Sequence, residues 1–300
     1  MLKIFAMQLL FFVLIYPVLW LVSILPFRLL YAFSDFVYVI VYRIIGYRKR
    51  IVRKNLKLAF PEKSDAERLV IEKKSYRHLC DMFLEMIKTM TISPEEMDRR
   101  FTFTNLDLYK NLETKGKDIA VMIAHYATYE WVISMNSKIS FRGYAIYKQI
   151  ANKYFDKLVR DIRSKFKAEL ITTRETKSVI QNNKSKGILG VYGFASDQSP
   201  RLSKAQHWTN FMGIHSPIHT GAETLAKKFD MNMIFLRVKK VKRGFYEATF
   251  EPLAENVREI PDFDVSVEFM RRVEKQIHEA PEFYLWTHKR WKTEGKKVKV

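Results

Sequence analysis

The chain has 300 residues, with 52 Lys and Arg against 32 Asp and Glu, for a formal net charge of +20 with its seven histidines neutral. Its 48% hydrophobic and 14% aromatic content excludes a disordered basic tail, and 10 Gly with 9 Pro exclude collagen and low-complexity linkers. The length admits one large domain or two small ones, and Cys80 is the only cysteine, so no internal disulfide forms.

The charge is unevenly placed. Residues 1–47 carry only Lys3, Arg28, Asp35 and Arg43, and the 24 residues from Ile4 to Phe27 carry no charge. As a helix that stretch spans roughly 36 Å at about 1.5 Å per residue, enough for a hydrocarbon core of about 30 Å. Pro17 kinks it, which membrane helices tolerate. A cleaved signal peptide has a shorter apolar run and an A-x-A-like site, and neither is evident. Residues 1–28 are therefore predicted to be a retained transmembrane anchor. The following run, 29–47, is broken by Asp35 and Arg43 and reads as an interfacial or packed amphipathic helix rather than a second span. RKRIVRKNLK (48–57) then brings six cations and no acid. The positive-inside rule places everything after the anchor in the cytoplasm.

Residues 62–98 read as helical, capped by Ser64 or Asp65 and broken at Pro94, so that 29–98 forms an interfacial and helical segment. From about Phe101 short apolar runs alternate with helical stretches. Strands are predicted at 118–125, 142–147, 168–173, 186–195, 231–241 and 244–253. Helices are predicted at 128–138, 152–166, 176–184, 219–229 and 264–279. The expected fold for 99–300 is α/β, a largely parallel or mixed central sheet flanked by helices. GxGxxG, Walker, CxxC and GxSxG motifs are all missing from the sequence, so dinucleotide, P-loop, zinc-ribbon and nucleophile-elbow chemistry lack support.

In such a sheet, reactive groups gather beyond the carboxyl ends of strands. His125, in IAHYATYEW, follows an apolar strand, and Glu130 lies five residues on. With His125 at the strand end and Glu130 in the next helical turn, the carboxylate can hold one imidazole nitrogen while the other acts as a base. Spacing alone is met as well by a strand-capping His and a solvated Glu. Ser196-Asp197-Gln198 ends a second strand and is equally readable as a turn. His215 and His219 have the i,i+4 spacing of a metal pair, but Pro217 opposes a regular helix and no Cys is near, so metal binding is not expected.

These residues carry a family resemblance. HYATYE fits the H-x4-[D/E] motif of lysophospholipid-type acyltransferases. The chain resembles the branch that adds late lauroyl or myristoyl chains to lipid A at Gram-negative inner membranes. The blocks involved are RIVRKNLKLAFPEKSDAER, HYATYEW, AIYKQIANKYFDKLVRDIRSKFKAELI, SDQSP, NFMGIHSPIHTGAETLAKKF and PEFYLWTHKRWK, with the N-terminal anchor before them. H-x4-E alone is a short pattern; the blocks in this order make the match specific. The resemblance implies a cytoplasm-facing enzyme that moves an acyl group from acyl carrier protein to a hydroxyl of a lipid A precursor, an anionic membrane glycolipid. It implies His125 as general base and Glu130 as its orienting carboxylate. Arg163 would bind an acceptor phosphate or stabilise charge on the thioester carbonyl. Lys148 stands where the family often has Arg, so the cation is kept and the bidentate geometry lost. Asp197 and Gln198 would shape the site beside the base. Lys167 stands where many members have Gly. No metal or organic cofactor is implied.

Three other readings compete, one of them an inactive scaffold with the acyltransferase fold. The same chemistry can serve another membrane lipid, such as an amino-acid-based one. A membrane-tethered nucleic-acid-binding protein would also explain the charge, but no nucleic-acid module appears and the cations are dispersed, so no nucleic-acid partner is expected. The clusters at 48–57, 237–243 and 287–300 fit instead a basic surface held at an anionic leaflet, worth about 1 kcal/mol per suitably placed cation.

Overall fold

The computed structural model describes residues 2–292, with side chains from Met7 onward. Helix α1 (Leu2–Ile24) is the apolar N-terminal stretch, and Pro17 lies inside it. Its segment Met7–Ile24 is long and apolar enough to cross a membrane, and it leaves Met7, Leu10 and Leu14 exposed. That exposure separates it from a soluble core helix, which hides such side chains. α2 (Phe27–Tyr38) runs into a π-helical turn, Val39–Ile45, which ends at Gly46 in the left-handed region (φ +64°). α3 (Lys49–Ala59) leaves that unit at 93°, so the two do not form one straight span. The long helix α4 (Asp65–Lys88) starts at a capping box in which Ser64 and Glu67 satisfy each other's backbone N–H groups.

α2 buries Leu30, Ser34 and Tyr38, and Tyr42 continues the four-residue series in the π-turn. This stripe faces α4. Tyr31, Ser34 and Tyr42 donate hydroxyl hydrogen bonds to Glu85 (2.8 Å), Asp81 (2.8 Å) and Glu72 (2.9 Å). At the end of α4, Lys88 Nζ donates to the carbonyls of Ser23 (2.7 Å) and Leu25 (2.8 Å), tying the end of α1 to the globular part.

The predicted 62–98 helix is two helices, because Pro94 takes the first position of α5 (Pro94–Arg100), where its missing N–H costs nothing. β1 (Phe101–Thr104), α6 (Leu106–Glu113), β2 (Ile119–Ile123) and a 3-10 helix, Tyr129–Ser137, follow. Next come β3 (Arg142–Tyr147), α7 (Lys153–Ser164), β4 (Glu169–Thr172), α8 (Thr176–Ser185) and β5 (Gly190–Ala195). A separate antiparallel hairpin, β6 (His207–Phe211) and β7 (Ile214–Ile218), leads to α9 (Gly221–Phe229). β8 (Asn232–Lys242), β9 (Phe245–Ala254) and α10 (Asp264–Glu279) complete the chain of elements.

The main sheet has seven strands in the order β1-β9-β8-β2-β5-β3-β4, and every pair is parallel except β8–β9. The expected α/β sheet is thus present, largely parallel with one antiparallel pair. All six predicted strands are found; β1 and the β6–β7 hairpin are additional. β2 reads IAVMI with four of its residues fully buried, as a strand covered on both faces must. The chain leaves β2 toward β3 and leaves β5 toward β8, in opposite directions across the sheet. Right-handed crossovers then put the two connections on opposite faces, opening a crevice at the carboxyl ends of β2 and β5.

Candidate active site

Parallel register sets up the site. Ile123 on β2 lies opposite Ala195 on β5, so the residues two positions further on, His125 and Asp197, leave the sheet side by side. Asp197 Oδ1 accepts from the His125 backbone N–H at 3.0 Å and lies 2.7 Å from the imidazole Nδ1. Asp197 is fully buried, while His125 keeps some exposure toward the crevice. Ala127, just beyond, adopts a left-handed φ of +50°. The turn is held from outside: Ala127 N–H donates to the Phe283 carbonyl (2.9 Å), and Leu285 N–H donates to the His125 carbonyl (3.1 Å). That C-terminal strap is pinned by Asn55 of α3, whose amide donates to the carbonyls of Trp286 (2.8 Å) and His288 (2.7 Å).

The partner of His125 therefore differs from the one expected. The sequence places Glu130 on the imidazole; among the described residues no hydrogen bond joins the two. Glu130 sits in the first turn of the 3-10 helix and accepts a two-pronged ion pair from Arg163 on α7, Nε to Oε2 at 2.8 Å and Nη2 to Oε1 at 2.6 Å. The reason is geometric. Asp197 comes in along a paired strand and approaches from within the sheet, whereas the helix that carries Glu130 turns its carboxylate toward α7. Arg163 is thus held by Glu130 through the planar fork that only guanidinium provides. α7 is itself docked on α1, where Phe12 packs on Tyr154 (5.7 Å) and Phe155 (5.4 Å).

Burial lowers the affinity of His125 for a proton, but the negative charge of Asp197, its hydrogen bond and the charge of Glu130 outweigh that penalty and raise its pKa above the ordinary value. Burial pushes the Asp197 carboxyl up, and the charge and hydrogen bonds of His125 bring it below the usual range. Both directions describe one pair, in which each partner favours the charged form of the other.

His125, Glu130 and Arg163 open on a cleft of about 770 Å³ whose walls also include Phe83, Ile146, Val159 and Leu225. Lys148 and Gln198 line it, whereas Asp197 stays behind His125 and does not reach the cleft wall. Two residues that sequence reading did not assign here also line it. Tyr129 packs edge-on against the His125 ring at 4.9 Å, and its place inside HYATYE was the available signal. His219 reaches the cleft from the end of β7, and burial holds its pKa low. Its spacing partner His215 lies on β7, stacked on Trp208 at 5.8 Å. Lys167 has a left-handed φ of +66° just after α7, which explains why Gly suits that position.

The C-terminal charge cluster needs a correction. Arg290, read as part of a basic surface, is 1% exposed, with its guanidinium over the Phe211 ring at 4.9 Å. Residues 293–300 of that cluster lie outside the described residues.

The sequence matches the bacterial lipid A biosynthesis acyltransferase family over residues 3–293. The chain belongs to this family. Among curated relatives it is similar to the lipid A biosynthesis lauroyltransferase of Escherichia coli K12, 26% identical over 278 residues, covering 92% of this chain and 89% of the relative. It is also similar to the lipid A biosynthesis palmitoleoyltransferase of the same strain and to a lipid A biosynthesis acyltransferase of Shigella flexneri, each 23% identical over 287 residues, with the same 92% and 89% coverage. Membership in a family of lipid A acyltransferases makes this chain an acyltransferase, and its N-terminal apolar helix is consistent with membrane anchoring.

Proposed function

We propose that the chain transfers a fatty acyl group from an acyl carrier protein thioester to a hydroxyl of a lipid A precursor. The observation that carries this reading is the His125–Asp197 pair opening on the apolar-walled cleft. Asp197 keeps a proton on Nδ1, so that Nε2 is left as the base. Nε2 takes the acceptor hydroxyl proton as the oxygen attacks the thioester carbonyl carbon. The tetrahedral intermediate then expels the thiolate as the C–S bond breaks, and the imidazolium returns the proton to sulfur. Asp197 stabilises the imidazolium in between. No enzyme nucleophile is required, in keeping with a sequence that carries no nucleophile elbow.

Glu130, first read as the orienting carboxylate, is assigned the task of fixing Arg163. The fork leaves Nη1 of Arg163 to meet an acceptor phosphate or the developing oxyanion. Lys148 supplies a second cation to the cleft, and Gln198 a polar contact beside the base. The family relatives' lipid A names support the acceptor. The protein sits in the inner membrane with residues 1–28, which contain α1, as its single-pass anchor, residues 29–98 as the interfacial and helical segment and the catalytic domain (99–300) facing the cytoplasm. The six cations of 48–57 support that orientation.

The test uses the purified full chain with acyl carrier protein thioester and a lipid A precursor. His125→Ala is expected to abolish transfer, by about 1000-fold or more, while the protein stays folded and membrane-bound. Full activity in that variant overturns the mechanism. Mass spectrometry of total lipids from a deletion strain tests the acceptor: loss of one acyl chain from lipid A supports it, and intact lipid A with another lipid missing overturns it.

A further inference from the structure

A second cavity, of about 760 Å³, lies between the π-turn, α4 and the β8–β9 hairpin, and no residue lines both it and the catalytic cleft. Six Lys and Arg face it against three carboxylates, leaving an excess of three positive charges. The carboxylates are committed to half of those cations. Arg243 forks Asp81 (2.7 Å) and Asp35 (2.9 Å), Lys240 reaches Asp81 at 3.4 Å, and Lys74 faces Glu282 at 3.7 Å. Arg43, Arg77 and Lys242 form no ion pair among the described residues, and all three are exposed. Arg77 lies over the Tyr38 ring at 5.2 Å and Lys242 over the Phe245 ring at 4.3 Å, contacts that position a cation without neutralising it.

Exposed aliphatic side chains flank the cations of this cavity. Val39 and Val241 line it and are exposed, and Ile44, the neighbour of Arg43, is 74% exposed with Ile45 beside it. Uncommitted cations in a hollow flanked by exposed aliphatic side chains, on the helical unit that follows the apolar helix α1, match one kind of ligand. The aliphatic side chains suit acyl chains, and the cations suit a phosphate at headgroup depth. We propose that this cavity is a separate binding site for the phosphate headgroup of an anionic phospholipid, seated on Arg43, Arg77 and Lys242. It seats the catalytic domain on the membrane through a bound lipid, in addition to the α1 anchor. An acidic carrier protein is the competing occupant of a basic surface, but the exposed isoleucines and valines favour lipid.

The test is native mass spectrometry of the detergent-solubilised full chain with short-chain phosphatidylglycerol, or with phosphatidylcholine of the same acyl length. Retention of phosphatidylglycerol in preference to phosphatidylcholine is expected. Combined Arg43→Gln, Arg77→Gln and Lys242→Gln substitution lowers that retention by about tenfold or more, with an unchanged thermal melt because the three side chains are exposed. His125→Ala retains the lipid as wild type does. Equal retention of the two lipids overturns the proposal, as does undiminished retention in the triple variant. Loss of retention in His125→Ala alone overturns it too, since the lipid is then in the catalytic cleft. If the triple variant loses carrier-protein binding with lipid retention intact, the surface belongs to that protein and the proposal fails. None of these outcomes depends on acyl transfer, so they stand apart from the test of the catalytic reading.

Discussion

Oδ1 of Asp197 receives both the backbone N–H and the Nδ1 side of His125, at 3.0 and 2.7 Å, across 72 residues of sequence. One carboxylate oxygen thus fixes the imidazole and the main chain that carries it. The two contacts act together, because a ring held only at Nδ1 would still swing with its backbone.

Asp197→Asn is the sharpest test of that arrangement. The amide keeps the shape but favours the wrong tautomer and no longer stabilises imidazolium, so kcat is expected to fall by about 1000- to 10,000-fold. The pH profile carries a second readout. With His125 as the proposed base, transfer is expected to need the neutral imidazole and to slow as pH drops through its pKa, which Asp197 and Glu130 hold above the ordinary imidazole value. Without the Asp197 charge the burial penalty remains and the larger of the two raising influences is gone, leaving only that of Glu130, so the acid limb moves to lower pH. A limb that stays in place shows that Asp197 does not control His125.

The Glu130–Arg163 fork predicts non-additivity. Arg163→Met leaves a buried carboxylate without its partner and is expected to cost roughly 2–3 kcal/mol of stability, discounted for the partial exposure of Arg163. Glu130→Gln with Arg163→Met is expected to recover part of that loss. Thermal melts of the four proteins in a double-mutant cycle measure the coupling, and additive losses argue against a coupled pair.

Asn55→Leu should act at a distance. It strands the Trp286 and His288 carbonyls that the amide now satisfies, at about 2 kcal/mol. Since the same strap hydrogen-bonds His125 and Ala127, kcat is expected to drop about tenfold with little change in KM. Unchanged kcat in a destabilised protein would mean that the strap does not position the base.

Lys167 pays for a left-handed backbone with a β-carbon. Lys167→Gly is expected to stabilise the protein by roughly 0.5–1 kcal/mol, visible as a raised melting temperature. A lowered melting temperature shows that the strain is compensated by contacts of the lysine side chain.

Regular elements were legible from the chain because each is written in local periodicity. Apolar runs bounded by turn residues placed β2 through β5, β8 and β9, and the 24 charge-free residues before Arg28 announced α1. β1 and the β6–β7 hairpin escaped notice because FTFT, HWTNF and IHSPI interleave polar residues and form no apolar run. The site was half visible. His125, Glu130, Arg163 and Asp197 were all named, yet Glu130 was given to His125 because it stands five residues away in the sequence.

Composition, the charge-free N-terminus and the order of motifs indicated by themselves the family, an N-terminal helix apolar enough to cross a membrane, and four polar residues that the fold gathers at one cleft. Tertiary structure alone decided how those residues pair. Parallel register between β2 and β5 brings Asp197 to His125, and the docking of α7 brings Arg163 to Glu130. It likewise brought NLK of α3 to the WTH of the C-terminal strap, and it took Arg290 from the expected surface into the interior. Strand order and helix docking are long-range choices settled by burial of apolar faces, and no spacing along the chain records them.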